Sequence, residues 1–250
     1  NLTHYKNKVS YLPDERKTMT TPEGVQGYSS GVHFFGEGIP LYTFYMQKYA
    51  GVNELGEALY YKDVKDDKGN VTGRETTTNY SEATQYLCGS SLPDVYGGFG
   101  TSLSWKGFDF SIDFAYQIGG KVYDGDYASA MSSPTANSKG SVIHADILNA
   151  WTPENTTSNI PRFQYGDSYT ASSSDRFLTS GSYLSLQNIN FGYTLPTKVC
   201  RPLGIQKLRL YLALWTKRQG LDPRQDIKGE GTASYYAPIR TVSGGITLTF

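Results

Sequence analysis

The stretch Phe108-Asp109-Phe110-Ser111-Ile112-Asp113-Phe114-Ala115-Tyr116-Gln117-Ile118 decides the fold. Every even position is aromatic or branched aliphatic, and every odd position is small, polar or acidic. Strict period two over so long a run predicts a β-strand with one greasy and one wet face, because successive side chains leave a strand on opposite sides. Just upstream, Phe99, Leu103 and Trp105 share a parity. Lys106-Gly107 between the two runs has the length and composition of a tight hairpin turn.

The pattern recurs toward the end of the chain. Leu208, Leu210, Leu212 and Leu214 alternate with Arg209, Tyr211 and Ala213, and Val242, Gly244, Ile246, Leu248 and Phe250 alternate with Ser243, Gly245, Thr247 and Thr249. Between Tyr183 and Leu195 the phase changes: Leu184 and Leu186 share one parity, while Ile189, Phe191, Tyr193 and Leu195 take the other. One extra residue restores the facing, so a β-bulge is expected near Gln187-Asn188.

Composition agrees with many two-faced strands. The 250 residues include 21 Tyr and 27 Gly, yet mean hydropathy is only -0.45. No run approaches the roughly 18 consecutive apolar residues of a membrane-spanning helix, but alternating barrel strands average to a polar value and still cross a bilayer. Lys and Arg balance Asp and Glu at 23 each, so no basic excess points to nucleic acid. Cys88 and Cys200 lie far apart, with no Cys-x-x-Cys spacing and no nearby His, which excludes the usual zinc motifs.

A soluble β-sandwich alternates as well, but its strands average about five or six residues. Strands of about ten are what a tilted crossing of a bilayer needs. The connections also alternate in length. Lys106-Gly107 and Pro196 to Gln206 are short; Gly119 to Ser182 and Lys217 to Ala237 are long. Tight turns at one end and long loops at the other describe an outer-membrane barrel. With the last strand running toward the periplasm, a run of about Leu2 to Leu12 and the strands near Tyr96 to Trp105, Phe108 to Ile118, Tyr183 to Leu195, Lys207 to Thr216 and Val242 to Phe250 alternate up and down. Every long connection then falls outside. Six strands are too few to close a barrel, for which about eight is the minimum, so the rest is expected upstream of Asn1. The fold expected is all-β, residues 1–250 forming the C-terminal part of a large barrel. The regions 13–95 and 119–182 are its long extracellular loops.

Several phrases resemble the SusC/RagA-like class of TonB-dependent outer-membrane transporters of the Bacteroidetes. In order these are Gly97-Gly98-Phe99, Trp105-Lys106-Gly107-Phe108-Asp109-Phe110-Ser111, Gln117-Ile118-Gly119-Gly120-Lys121-Val122-Tyr123-Asp124, Trp151-Thr152-Pro153-Glu154-Asn155, Arg176-Phe177-Leu178, Gly181-Ser182-Tyr183-Leu184, Phe191-Gly192-Tyr193-Thr194-Leu195-Pro196, Gly220-Leu221-Asp222-Pro223 and the terminal Phe250. A weaker match covers Leu2 to Tyr61. Two departures stand out: Leu214 runs straight into Trp215-Thr216-Lys217 without the family's Asn-containing segment. Asp66-Asp67-Lys68-Gly69-Asn70 replaces an Asp-rich, calcium-loop-like stretch and reads instead as a hairpin turn, lacking alternating oxygen ligands. The resemblance implies a barrel of about 22 strands and energised import of glycans or peptides. It also implies a SusD-like surface lipoprotein as lid, and TonB with ExbB and ExbD acting through a region this chain lacks. No cofactor is implied for this segment; Ca2+ belongs, if anywhere, to the full-length complex. Alternatives from other classes are a passive porin or adhesin-type barrel and a secreted glycan-binding β-sandwich.

The residues offer no catalytic constellation. His144-Ala145-Asp146 is the nearest to one, but neighbours two apart do not face each other on a helix, and Ile143 beside it has no chemistry to lend. Val142 to Ala150 reads as a short helix ended by Trp151-Thr152-Pro153. Gly119-Gly120-Lys121 lacks the flanking residues of a phosphate loop. Loop aromatics and a cation, Tyr123, Tyr127, Trp151, Arg162, Tyr235 and Tyr236, are the candidates for contact with substrate or lid; packing of loop on loop is the plainer reading of each. Arg162, Asp222 and Arg224 also suit ion pairs that fix loops. On the strands, Phe110, Ile112, Phe114, Leu210, Leu212, Ile246 and Leu248 are expected against lipid, with Asp109, Asp113, Gln117 and Arg209 inward. Ile246, Leu248 and Phe250 are expected to form the barrel-assembly signal.

Overall fold

In a computed structural model, the strictly alternating run forms a strand that spans Phe108–Ile118. The structure describes residues 1–4, 6–133, 142–215 and 241–250. In chain order its elements are β1 (Leu2–His4), β2 (Met19–Thr20), β3 (Gln26–Ser30), β4 (His33–Gly36), β5 (Thr43–Gln47), β6 (Tyr49–Val52), β7 (Ala58–Lys65), β8 (Val71–Thr77), β9 (Gln85–Ser90), β10 (Val95–Trp105), β11 (Phe108–Ile118), β12 (Lys121–Tyr123), α1 (Gly125–Ala130), β13 (Leu178–Ser180), β14 (Tyr183–Thr194), α2 (Thr197–Cys200), β15 (Lys207–Trp215) and β16 (Thr241–Thr249).

Six of these strands form one antiparallel meander in the order β1-β10-β11-β14-β15-β16. Its register aligns the greasy residues in rows across the strands. Leu103, Phe110, Phe191, Leu212 and Gly244 form one row; Trp105, Phe108, Tyr193, Leu210 and Ile246 form the next. On the reverse face Ser102, Ser111, Asn190, Ala213 and Ser243 lie in line. Among the described side chains of the five long strands, the exposed Phe, Trp, Leu, Ile and Val all lie on the first face. Of the exposed large hydrophobic side chains, only the phenols Tyr96 and Tyr211 lie on the other.

Two local devices hold this register. Lys106 and Gly107 both take positive φ, 46° and 89°, which is the geometry of a two-residue turn whose twist matches that of the strands. Between β11 and β14 the pairing passes from Asp113 opposite Asn188 to Phe114 opposite Leu186. Gln187 is therefore the extra residue of the bulge, and it returns Leu184 and Leu186 to the greasy face.

The N-terminal strand is shorter than the expected Leu2 to Leu12. Among the described residues, the strand in register with β10 is Leu2–His4, with Asn1 bonded to Gly98 just before it. Val9 instead exchanges backbone hydrogen bonds with Ile39 and Gly38, and the Leu12 amide donates to Glu37 Oε1 at 2.7 Å. The chain has left the meander by then, because its backbone groups find partners elsewhere.

The two long excursions are folded bodies rather than bare loops. Between β1 and β10 lie a five-stranded antiparallel sheet, β2-β3-β4-β5-β9, and a three-stranded one, β6-β7-β8. Asp66 to Asn70 closes the β7–β8 hairpin: the Asp66 carboxylate accepts the amides of Lys68 and Asn70, and Gly69 supplies φ 83°. Between β11 and β14, β12 and β13 pair as a ribbon. Both excursions leave from the same end of the meander. Most of the buried apolar side chains belong to them, with Phe34, Phe44, Met46, Tyr60 and Tyr86 in the first and Met131, Ile147 and Phe177 in the second. The connection from Pro196 to Gln206 at the opposite end is compact, with α2 and a single 3-10 turn around the buried Cys200.

Candidate functional site

The seam where the two excursions meet is held by polar and aromatic contacts between parts of the chain about a hundred residues apart. Its first component is a turn. Gly56, at φ 79°, follows Asn53, whose side-chain oxygen accepts the amides of Leu55 and Glu57. A Cβ at Gly56 would overlap the Trp151 ring and lie 2.8 Å from Arg162 Cβ, so only glycine lets the second excursion lie this close. Arg162 then fastens the approach. Its backbone amide donates to Gly56 O at 2.8 Å and its Nη1 to Leu55 O at 3.0 Å. Its Nε donates to Asp167 Oδ2 at 2.9 Å, and Glu57 Oε1 lies 3.7 Å from Nη2. The guanidinium also lies over the Tyr169 ring, 5.5 Å from its centroid.

A second fastening lies at β6. The Tyr49 amide donates to the Asp175 carboxylate at 2.8 Å, and the Tyr49 hydroxyl donates to Asn159 O at 3.0 Å. Tyr80 reaches the carbonyl of Ser173. Burial pushes the Asp175 carboxyl above its usual range, and pushes the Tyr49 and Tyr80 hydroxyls up to about 12. These phenols therefore stay protonated at neutral pH and act as hydrogen-bond donors and ring faces, not as bases. Arg176 stacks over both Tyr49 and Phe177, with centroid distances of 5.4 and 5.2 Å.

The candidates read from the sequence fall into two groups. Tyr123 and Tyr127 pack against the cluster of Ala128, Met131, Ile147 and Phe177. The Tyr123 hydroxyl accepts from Ser173 Oγ at 3.2 Å, and Tyr127 donates to Asp146 Oδ2 at 2.8 Å. Trp151 and Arg162 sit together at the seam. All four are half-buried, so each packs loop on loop and keeps an accessible edge. Tyr235, Tyr236, Asp222 and Arg224 lie outside the described residues, as does the connection from Lys217 to Ala237. Ile246, Leu248 and Phe250 are exposed on the greasy side of the last strand.

His144 and Asp146 correct the expectation drawn from helix geometry. Nδ1 of His144 lies 3.4 Å from Asp146 Oδ2 and accepts the Asp146 amide at 3.2 Å. His144 is extended, at φ -75° and ψ 144°, and caps the 3-10 turn Ala145–Asn149, so the spacing rule within a helix does not govern it. The pair is a cap, tied to the Tyr127 hydroxyl, with the ring of Tyr127 edge-on at 4.8 Å. Among the described residues no three His, Cys, Asp or Glu side chains come together to hold a metal ion. Sequence reading missed Gly56, Glu57, Tyr49, Tyr80 and Asp175. Its one available signal was Asp175 standing immediately before the quoted Arg176-Phe177-Leu178.

No family model matches the chain. Among curated proteins, the TonB-dependent receptor P3 of Formosa agariphila is 27% identical over 270 residues, covering 100% of this chain and 26% of the receptor. The TonB-dependent receptor P26 of the same organism is 28% identical over 269 residues, with the same coverage. Among solved structures, the RagAB peptide transporter superposes with a TM-score of 0.66 at 28% identity, covering 89% of this chain and 24% of that one. The RagAB peptide importer in its open-open state gives 0.69 at 26% identity, covering 97% and 25%. The chain thus spans about a quarter of the length of the proteins it matches. It fits the SusC/RagA-like class of TonB-dependent transporters, and its antiparallel meander matches the barrel portion of those chains.

Proposed function

We propose that this chain is the C-terminal part of an outer-membrane importer that takes up oligomeric nutrients, glycans or peptides, with energy from TonB and a SusD-like surface lipoprotein as lid. The observation that carries the reading is the meander itself: its exposed large aliphatic side chains share one face, its carboxylates share the other, and both described long excursions rise from one end. A charged group on the lipid side at bilayer depth costs about 2–4 kcal/mol, so the face with Asp109, Asp113 and Arg209 belongs inside. The likeness to a peptide transporter and to TonB-dependent receptors supports import over a passive pore.

In this reading the folded excursions form the wall above the barrel and carry the lid. Tyr123, Tyr127, Trp151 and Arg162 are the proposed contacts with substrate or lid, through the edges they leave accessible. Ile246, Leu248 and Phe250 are the proposed assembly signal, an apolar stripe on a strand that must pair with a barrel strand upstream, since an open edge in lipid leaves backbone groups unsatisfied.

The test is made in the full-length transporter. Shortening the segment 153–174 should reduce lipoprotein co-purification and uptake while leaving heat-modifiable barrel intact. Replacing Phe250 with Asp should do the reverse, lowering the amount of assembled barrel far more than uptake per molecule. A loop deletion that blocks barrel assembly but spares lid binding would overturn the assignment of inside and outside.

A further inference from the structure

The end of the meander opposite the excursions carries a concentration of positive charge that the importer reading leaves unused. It comprises residues 104–109, 192–210 and 246–250. In these lie five basic side chains, Lys106, Lys198, Arg201, Lys207 and Arg209, and one carboxylate, Asp109. The whole chain has 23 of each sign, so the remainder holds 18 basic and 22 acidic side chains. The neutral total therefore hides a local excess, with this end of the meander positive and the remainder of the sequence net negative.

The one carboxylate is already committed. Arg209 Nε donates to Asp109 Oδ1 at 3.1 Å, across the intervening β14. The pair crosses at Gly192, where a Cβ would sit 2.5 Å from Asp109 Oδ2 and 2.6 Å from Arg209 Nη2. That neutral pair lies on the polar face, and Lys207 shares its parity. Lys106, Lys198 and Arg201 remain, and among the described residues no acidic side chain pairs with them at this end.

Their placement is specific. The Lys106 ammonium lies 4.8 Å from the centroid of the Trp105 ring, and Trp105 is 67% exposed on the greasy face. Lys106 is therefore drawn to the rim of that face and not toward the interior. Phe108 and Tyr193 lie beside Trp105 in the same cross-strand row, tilted against each other with ring centroids 4.3 Å apart. A row that carries Trp and Tyr is what a barrel presents at the boundary of hydrocarbon and headgroup. In the compact link, Cys200 is buried while Lys198 and Arg201, three apart, are both exposed, with the apolar Val199 open between them.

We propose that this end of the sheet binds the phosphate headgroups of anionic phospholipids, with Lys106, Lys198 and Arg201 as the cations and Trp105 seated at the top of the acyl chains. The inference rests on the lipid-facing reading of the greasy face and adds a charge preference to it. Long basic side chains extend along apolar surface to reach a headgroup while their stems stay in the hydrocarbon boundary. The arginine fork suits phosphate oxygens in particular. A cation near an anionic bilayer surface is worth roughly fivefold in affinity, and the gain is screened by salt.

The experiment places the full-length protein in vesicles that contain phospholipids with brominated acyl chains and reads tryptophan fluorescence. The Trp105 signal is isolated as the difference from Trp105→Phe. Brominated phosphatidylglycerol should quench Trp105 at a concentration about fivefold or more below that needed by brominated phosphatidylcholine, and the difference should shrink at high salt. The variant carrying Lys106→Gln, Lys198→Gln and Arg201→Gln should quench equally with both lipids. Its counterpart with Lys106→Arg, Lys198→Arg and Arg201→Lys should keep the preference. Equal quenching of the unaltered protein by both lipids, or an undiminished preference in the glutamine variant, would overturn the proposal. So would loss of the preference to inorganic phosphate at matched ionic strength, which would assign the cations to the free anion. If neither lipid quenches Trp105, the lipid-facing reading itself fails, and this inference falls with it.

Discussion

The meander and the two excursions are built from the same residue types and solve opposite problems. In the excursions the apolar side chains turn inward. Phe34 and Phe44 are wholly buried, Phe177 nearly so, and polar groups such as Asp175 and Arg162 hold the surfaces together. In the meander the apolar side chains turn outward, with Trp105 and Ile246 about two-thirds exposed, while the carboxylates and the Asp109–Arg209 pair occupy the reverse face. One region folds around a buried core, and in the proposed reading the other turns its apolar face to lipid. The difference teaches that burial within the chain is the wrong measure of order for a barrel strand, because its solvent on one side is hydrocarbon.

The largest expected effect concerns the buried core of the second excursion. Phe177→Ala should cost about 3–5 kcal/mol of local stability, read as faster amide exchange across Tyr123 to Ile147, with heat-modifiable barrel unchanged. If the barrel is lost instead, the two regions are not separable as drawn. Next is Leu212→Arg, which places a charge on the greasy face at mid-strand. It should cost about 2–4 kcal/mol and lower assembled protein, whereas Tyr211→Arg, one residue back on the reverse face and exposed, should be better tolerated in assembly assays. Equal losses would erase the distinction between faces.

A smaller effect concerns the ion pair of the inner face. Gly192→Ala should separate Asp109 from Arg209 and lower the melting temperature of the assembled barrel, and Gly192→Ala combined with Asp109→Ala should recover part of the loss. Absence of any recovery would show that the glycine serves the strand and not the pair.

The smallest effect is one of pH. Burial raises the Asp175 carboxyl, so its contribution to the folded seam is fully present below the ordinary aspartate range and is lost as pH rises through the raised value. At neutral pH Asp175 is a partly buried charge whose carboxylate holds the Tyr49 amide. Asp175→Asn keeps an acceptor there and removes the titration. Amide exchange at Tyr49 should then slow relative to the native protein at neutral pH, with the gap narrowing in acid. A gap independent of pH would show that the carboxylate does not set the opening.

How much of this was legible depends on which physics the residues obey. The long strands were readable because a face exposed to lipid must be apolar at every second position. The phase change at Gln187 was readable for the same reason, since a slipped strand would have turned Leu184 and Leu186 inward. The excursions were far less readable. Their strands are short, and their order comes from contacts between distant segments, such as Gly56 beneath Trp151 and Asp175 beneath Tyr49, that no local pattern announces. Even the single expectation about His144 failed on a local detail, an extended cap where a helix was assumed.

The most direct measurement of the central claim is a scan of spin labels, one cysteine at a time, through positions 108 to 118 of the assembled full-length protein, with Cys88 and Cys200 replaced. Labels at Phe110, Ile112 and Phe114 should collide freely with oxygen dissolved in the bilayer and scarcely with a water-soluble nickel complex. Labels at Asp109, Ser111 and Asp113 should be shielded from the bilayer, so accessibility to oxygen should oscillate with a period of two residues. Accessibility that fails to alternate, or that peaks at Asp113 instead of Ile112, would contradict the account.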